Sequence, residues 1–118
     1  MKFNTKLEQS NCVVSYDASF EEAMKAMTAN RHGAILVVNN NWHVAGVVSD
    51  GDIRRAMLKG AIMRSPIRQA INHNVVSVFA DDKKTLANPE AIFSRYPHIN
   101  VIPVIDRKNK LVDVLARP

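Results

Sequence analysis

The chain repeats itself, and that repeat limits what it can fold into. Val13-Val14-Ser15-Tyr16 returns 62 positions later as Val75-Val76-Ser77-Val78. Ala34-Ile35-Leu36-Val37-Val38-Asn39 returns at an offset of 67 as Val101-Ile102-Pro103-Val104-Ile105-Asp106, and the same offset pairs Val44-Ala45-Gly46-Val47-Val48 with Leu111-Val112-Asp113-Val114-Leu115. The change of offset predicts a connection five residues longer in the second copy, between Asp81 and Pro97. A unit of about 55 residues stands near the lower limit for burying its own core, so two units must share one. The expected fold is α/β: two pseudo-symmetric β-α-β-β-α repeats, residues 1–62 and 63–118, packed as one module with a cleft between them. Clefts at such junctions are where small ligands bind.

Each copy reads as strand, helix, hairpin. In the first, Val13 to Tyr16 is a short apolar run ended by Asp17. Ser19 and Glu22 have capping-box spacing, and Phe20, Ala23, Met24 and Met27 fall on one helical stripe that Gly33 is expected to end. Ala34 to Val38 and His43 to Val48 flank the turn Asn39-Asn40-Asn41-Trp42. A second helix is predicted from Gly51 to Lys59, with Gly60 at its end. The second copy opens with a short helix capped by Ser65, with Pro66 in its first turn. Strand Val75 to Phe79 follows, then the polar loop Asp81-Asp82-Lys83-Lys84, a helix starting at Asn88-Pro89, and a hairpin of Ile99 to Ile105 and Leu111 to Leu115. The chain stops where the first copy began its closing helix, so the second repeat is expected to lack its own.

Composition excludes several classes. At 118 residues the chain is too short for a barrel of roughly 250 residues. No apolar run approaches the roughly 18 residues that cross a bilayer, and Met1 to Lys6 does not open a signal peptide. One cysteine, Cys12, cannot form an intramolecular disulfide, which fits a reducing compartment. A soluble cytoplasmic protein is the expectation. The net charge of +5 suits an anionic partner. Seven aromatic residues, dispersed basic residues and the lack of a recognition motif argue against nucleic acid. Residues 1–60 carry a net +1 and residues 61–118 a net +4, so the excess lies opposite the acidic segment Asp50-Gly51-Asp52. A nucleotide's phosphates reaching across the cleft are its expected use.

The densest polar cluster, Ser49-Asp50-Gly51-Asp52-Ile53-Arg54-Arg55, leaves a strand and enters a helix. Three readings compete for it. Ser49 and Asp52 have the spacing in which a hydroxyl and a carboxylate satisfy the free N–H groups of a helix start. Asp50 and Asp52 resemble the Asp-x-Asp pair of haloacid-dehalogenase-like phosphatases, with Asp81 and Asp82 as further acids, although Arg54 stands where that signature wants Thr or Val. In the third reading, a carboxylate just inside a helix accepts from both hydroxyls of a ribose, and a serine at the helix mouth meets a phosphate. A serine nucleophile elbow fails at Val47. His32, His43, His73 and His98 lack metal-ligand spacing, and Cys12 has no neighbouring histidine, so no catalytic or metal site is expected.

The repeat, its element order and Gly46-Val47-Val48-Ser49-Asp50-Gly51-Asp52 resemble a tandem pair of cystathionine-β-synthase (CBS) domains, or Bateman module. Ile102-Pro103-Val104-Ile105-Asp106 is similar to that family's second-strand pattern. Ser49 to Arg55 resembles the narrower group of CBS pairs found ahead of sugar-1-phosphate nucleotidyltransferase domains, so the chain looks like an excised N-terminal module with such a domain downstream. The resemblance implies a regulatory module, not an enzyme, that binds an adenosine-containing ligand: AMP, ADP, ATP or S-adenosylmethionine. It also implies a homodimer, with a ligand-free dimerisation module as the alternative. Carried over, Asp52 would hold the ribose hydroxyls and Ser49 would contact ribose or phosphate. Val14 and Ser15 with Gly33-Ala34-Ile35 would flank the base, and Arg55 would stand near the anion. The second copy has Asp113 for Gly46 and Ala116 for Ser49, which implies one nucleotide per chain.

Overall fold

The structure is a computed structural model that describes residues 10–118. The segment Met1 to Lys6, weighed above as a leader, lies outside the described residues. The first half runs β1 (Val13–Ser15), α1 (Phe20–Asn30), β2 (Ala34–Val38), β3 (Val44–Ser49) and α2 (Asp50–Leu58). A 3-10 turn (Ile67–Ala70) leads to β4 (Val78–Phe79), α3 (Lys83–Ala87), α4 (Pro89–Arg95), β5 (Val101–Ile105) and β6 (Leu111–Ala116). Each half holds a three-stranded sheet, β1-β2-β3 and β4-β5-β6, with one parallel and one antiparallel pair.

The repeat extends to a defect. The β2–β3 register shifts between Val37 and Val38, and the β5–β6 register shifts between Val104 and Ile105, 67 positions on. Each hairpin therefore carries the same bulge, which aims the turn that follows. The first strands follow a different offset from the one expected. Val14 pairs with Val37 and Val78 with Val104, so β1 and β4 correspond at 64 positions rather than 62, and the second connection is three residues longer rather than five. A slip of two leaves every side chain on the same face of a strand, so the apolar pattern cannot detect it.

Local chemistry sets the helix boundaries. The Ser19–Glu22 capping box is formed, and Phe20, Ala23 and Met27 are buried. The helix stops at Arg31 instead of Gly33: Arg31 adopts φ 61 and its N–H bonds to Met27 O. The Asn30 side chain locks that turn by donating to Asn11 O and Ala34 O and accepting from His32 N. Ser65 does not cap the 3-10 turn. Its hydroxyl accepts from Ile62 N, and Pro66 is the cap residue. The predicted loop at Asp81–Lys84 is instead the start of α3, because the Asp82 carboxylate accepts from Thr85 N at 3.2 Å and from Thr85 Oγ1 at 2.7 Å. Pro89, with no N–H, then begins α4 as a separate helix.

The first core gathers Phe20, Ile35, Val37, Val48 and Ile53 with Ile67 and Ala70 of the 3-10 turn. The connecting segment is thus built into the first half, tied by Phe20 N to Ser65 O and Ile67 N to Ala18 O. The second core is smaller: Val78, Phe93 and Ile102. Between them Leu36, Val38 and Trp42 pack on Val101 and Leu111, joining the two sheets. Beside this seam, residue 46 must be glycine for the connection to pass. A Cβ there would stand 2.3 Å from Ile71 Cγ2 and 2.6 Å from Asn72 O. Asn72 exchanges both backbone hydrogen bonds with Val47, at 2.9 and 3.0 Å. Gly46→Ala is expected to cost about 1–3 kcal/mol in urea unfolding.

Exposed acids organise the second half. The Arg107 guanidinium beside Asp81 holds its carboxyl below the usual range, at 2.8 and 2.9 Å. Thr85 does the same for Asp82, and the N–H groups of Lys110 and Lys108 for Asp106. Lowered carboxyl values add stability above the ordinary carboxylate range, and that stability is lost as pH falls through the lowered values. Melting followed from pH 7 downward is therefore expected to fall off below about pH 4, with Asp81→Asn flattening the decline.

Candidate functional site

Ser49 and Asp52 meet where β3 becomes α2. The Asp52 carboxylate accepts from Ser49 N and Ser49 Oγ, both at 2.9 Å, while Ser49 Oγ accepts from Asp52 N at 3.2 Å. The capping box predicted for this helix is formed. The other carboxylate oxygen accepts from Arg55 Nη2 at 2.7 Å. Asp52 is 17% exposed and Arg55 66%, so the arginine lies over the carboxylate on its solvent side. A carboxylate has about four lone-pair sites, so one remains for a ligand with Arg55 in place and two without it.

These residues line a cleft of about 230 Å³ between the halves. Gly33, Ala34, Val47, Ser49 and Asp52 form one wall. Asn72, Asn74, Val75 and Val76 with the segment His98–Val101 form the other. Gly33 and Asn100, and likewise Ala34 and Val101, are equivalent at 67 positions, so the cleft straddles the axis relating the two halves. Asp50 N donates to Gly33 O at 3.1 Å, and the equivalent Arg117 N donates to Asn100 O at 2.8 Å. Asn100 also bridges the halves by donating to His32 O at 3.0 Å. In the second half Ala116 occupies the place of Ser49, without a hydroxyl.

Of the residues expected at the site, Gly33, Ala34, Ser49 and Asp52 come together, and Arg55 joins them through its ion pair. Ile35 does not: it is fully buried in the first core, because neighbours along a strand face opposite sides. Val14 and Ser15 line a separate hollow of about 350 Å³ with Trp42 and Asn39. Their partners in β2 are Val37 and Val38, the far end of the strand from Gly33. In place of Val14, Val75 and Val76, ahead of β4, face the cleft beside Val47 and Val101. The repeat pattern had marked them, and the two-residue slip hid their place. Asn72, Asn74, His98 and Asn100 carry no sequence signal; tertiary pairing brings them in.

The charge of the second half is not used as expected. Among the described residues lining the cleft there is no lysine or arginine. Arg117 donates to Phe93 O, Tyr96 O and Ile99 O and to Asn100 Oδ1. Arg107 is held by Asp81 and lies 3.9 Å over the Phe79 ring. The acids that a phosphatase reading would recruit are equally committed, Asp81 to Arg107 and Asp82 to Thr85.

Comparison with known proteins fits this geometry. Residues 7–59 match the family model of the CBS domain. A CBS domain pair/ACT domain protein from Thermotoga maritima shares the fold at a TM-score of 0.70 and 20% identity, over 88% of this chain and 79% of that one. The chain has the fold of a CBS-domain pair. A CBS domain protein from Pyrobaculum aerophilum, PAE2072, solved with AMP, matches at a TM-score of 0.66 and 24% identity, over 88% of this chain and 78% of that one. Among sequence relatives of the chain, an uncharacterized Helicobacter pylori protein is 31% identical over 98% of the chain but only 35% of its own length. Arabinose 5-phosphate isomerase GutQ of Shigella flexneri is 28% identical over 86% of the chain and 31% of its own length. The chain thus spans about a third of the curated relatives it matches. Among the described residues, no helix is long and apolar enough to cross a membrane.

Proposed function

We propose that this CBS pair is a regulatory module that binds one adenosine-containing ligand (AMP, ADP, ATP or S-adenosylmethionine) in the cleft and performs no catalysis itself. The observation that carries this reading is the Ser49–Asp52 pair opening onto a cleft built from both halves. Ribose hydroxyls donate to the Asp52 carboxylate, displacing the exposed Arg55, which is then free to turn toward an anionic group. The Ser49 hydroxyl lies beside them. Val47, Val75, Val76 and Val101 offer an apolar bed for the base. The AMP complex of PAE2072, a protein with this fold, supports the ligand class. Thermal shift with each of the four ligands tests it, and flat melting curves at millimolar levels would sink it.

The capping box favours a second reading, a ligand-free dimerisation module, because Ser49 and Asp52 already satisfy each other. We place the module, as a homodimer, in a cytoplasmic sugar-phosphate enzyme. Its Ser49–Arg55 motif supports a nucleotidyltransferase, and the likeness to GutQ supports a sugar-phosphate isomerase instead. Assay of the whole protein for the two sugar-phosphate reactions distinguishes them.

A further inference from the structure

We infer that the cleft reads no more than one phosphate of an adenosine ligand, and that His98 is the side chain that meets it; this rests on the adenosine reading above. Only two ionisable side chains line the cleft among the described residues, Asp52 on the first wall and His98 on the second. With Asp52 taking the ribose, His98 is the one ionisable lining side chain left to donate to an anion. The remaining lining side-chain donors are neutral: the Ser49 hydroxyl, given to Asp52, the amides of Asn72 and Asn74, and Asn100, whose amide is given to His32 O.

Among the described residues no lysine or arginine lines the cleft, and the arginines bonded to its walls are engaged. Arg55 rests on Asp52, and its release provides one mobile charge at the rim. Arg117, which lies behind the His98–Val101 segment, gives its donors to four oxygens of the second half. His73, in the connecting segment, sets its ring against Ala45 O at 3.1 Å. One phosphate can therefore be met by the His98 ring and the neutral amides. A second and third add negative charge with no lysine or arginine in the described lining to receive them, so they stay in water and contribute nothing to affinity. The net charge of +5 attracts any anion at long range, but that attraction is screened at physiological salt.

Titration calorimetry on the whole chain at 0.15 M salt, with adenosine, AMP, ADP and ATP, tests this. AMP is expected to bind several-fold tighter than adenosine, with ADP and ATP no tighter than AMP. His98 is exposed, so His98→Ala keeps the fold, checked by its melting curve. That variant is expected to lose about tenfold in AMP affinity and to hold adenosine within about twofold. Affinity that climbs from AMP to ATP overturns the inference, as does AMP binding untouched in His98→Ala. Adenosine bound as tightly as AMP overturns it while leaving the adenosine site standing. If none of the four binds, nor S-adenosylmethionine in a fifth titration, the adenosine reading itself has failed, and this inference fails with it.

Discussion

Phe20→Ala is expected to lower the unfolding free energy by about 3–5 kcal/mol, a large part of the roughly 5–15 kcal/mol that holds a domain of this size together. Phe20 is fully buried at the centre of the first core, against Ala23, Met27, Ile35, Val37 and Val48. Its backbone N–H also holds Ser65 O at 2.9 Å, so the ring sits where the first helix meets the connecting segment. Neighbours fixed by a sheet, two helices and that segment cannot close over the void. Phe93→Ala makes the contrast. Phe93 is 3% exposed, but among the described residues its core holds just two other buried side chains, Val78 and Ile102, and the Arg117 guanidinium lies 5.0 Å over its ring. Side chains around it have room to collapse, so its loss is expected to cost less. Urea unfolding of the two variants decides it. Equal or greater loss at Phe93 would mean that the halves are not stabilised unequally.

That inequality was not legible in the repeat, which suggests two like units. What the sequence carried well is whatever depends on near neighbours. The hairpins, both capping boxes and the main helical stripe all follow from residues within a few positions of one another. The helix of Lys83–Ala87 escaped because an aspartate cap followed by two lysines has the composition of a loop. The first-strand offset escaped because a period of two cannot see a shift of two. The cleft divides the same way. Ser49 and Asp52 are a local pattern and were legible. Their opposite wall reaches them only because Gly46 lets Asn72 pair with Val47, and a glycine in a strand does not say which segment will approach it.

Asp52→Ala is expected to abolish the response to an adenosine ligand while leaving the fold nearly as stable as before. In the native chain, ligand at 100 times its Kd should add about 2.7 kcal/mol, roughly 10 °C in the melting temperature at this size. Losing the carboxylate frees Ser49 N of its acceptor, but Ser49 Oγ still accepts from the N–H of residue 52, so half of the capping box survives. The cost of that loss is about 0.5–1 kcal/mol, well below the ligand's contribution. Asp52→Asn separates the two roles further. Its side-chain oxygen can still take the Ser49 N–H, yet it carries no charge for Arg55 and no longer offers two acceptor oxygens to a pair of hydroxyls. Stability near native with a sharply reduced ligand shift is therefore expected. If Asp52→Ala instead unfolds the chain, capping was the main task of this carboxylate. If it melts like the native chain and shifts as far with ligand, the ribose is held elsewhere, and the cleft loses the residue on which its assignment turns.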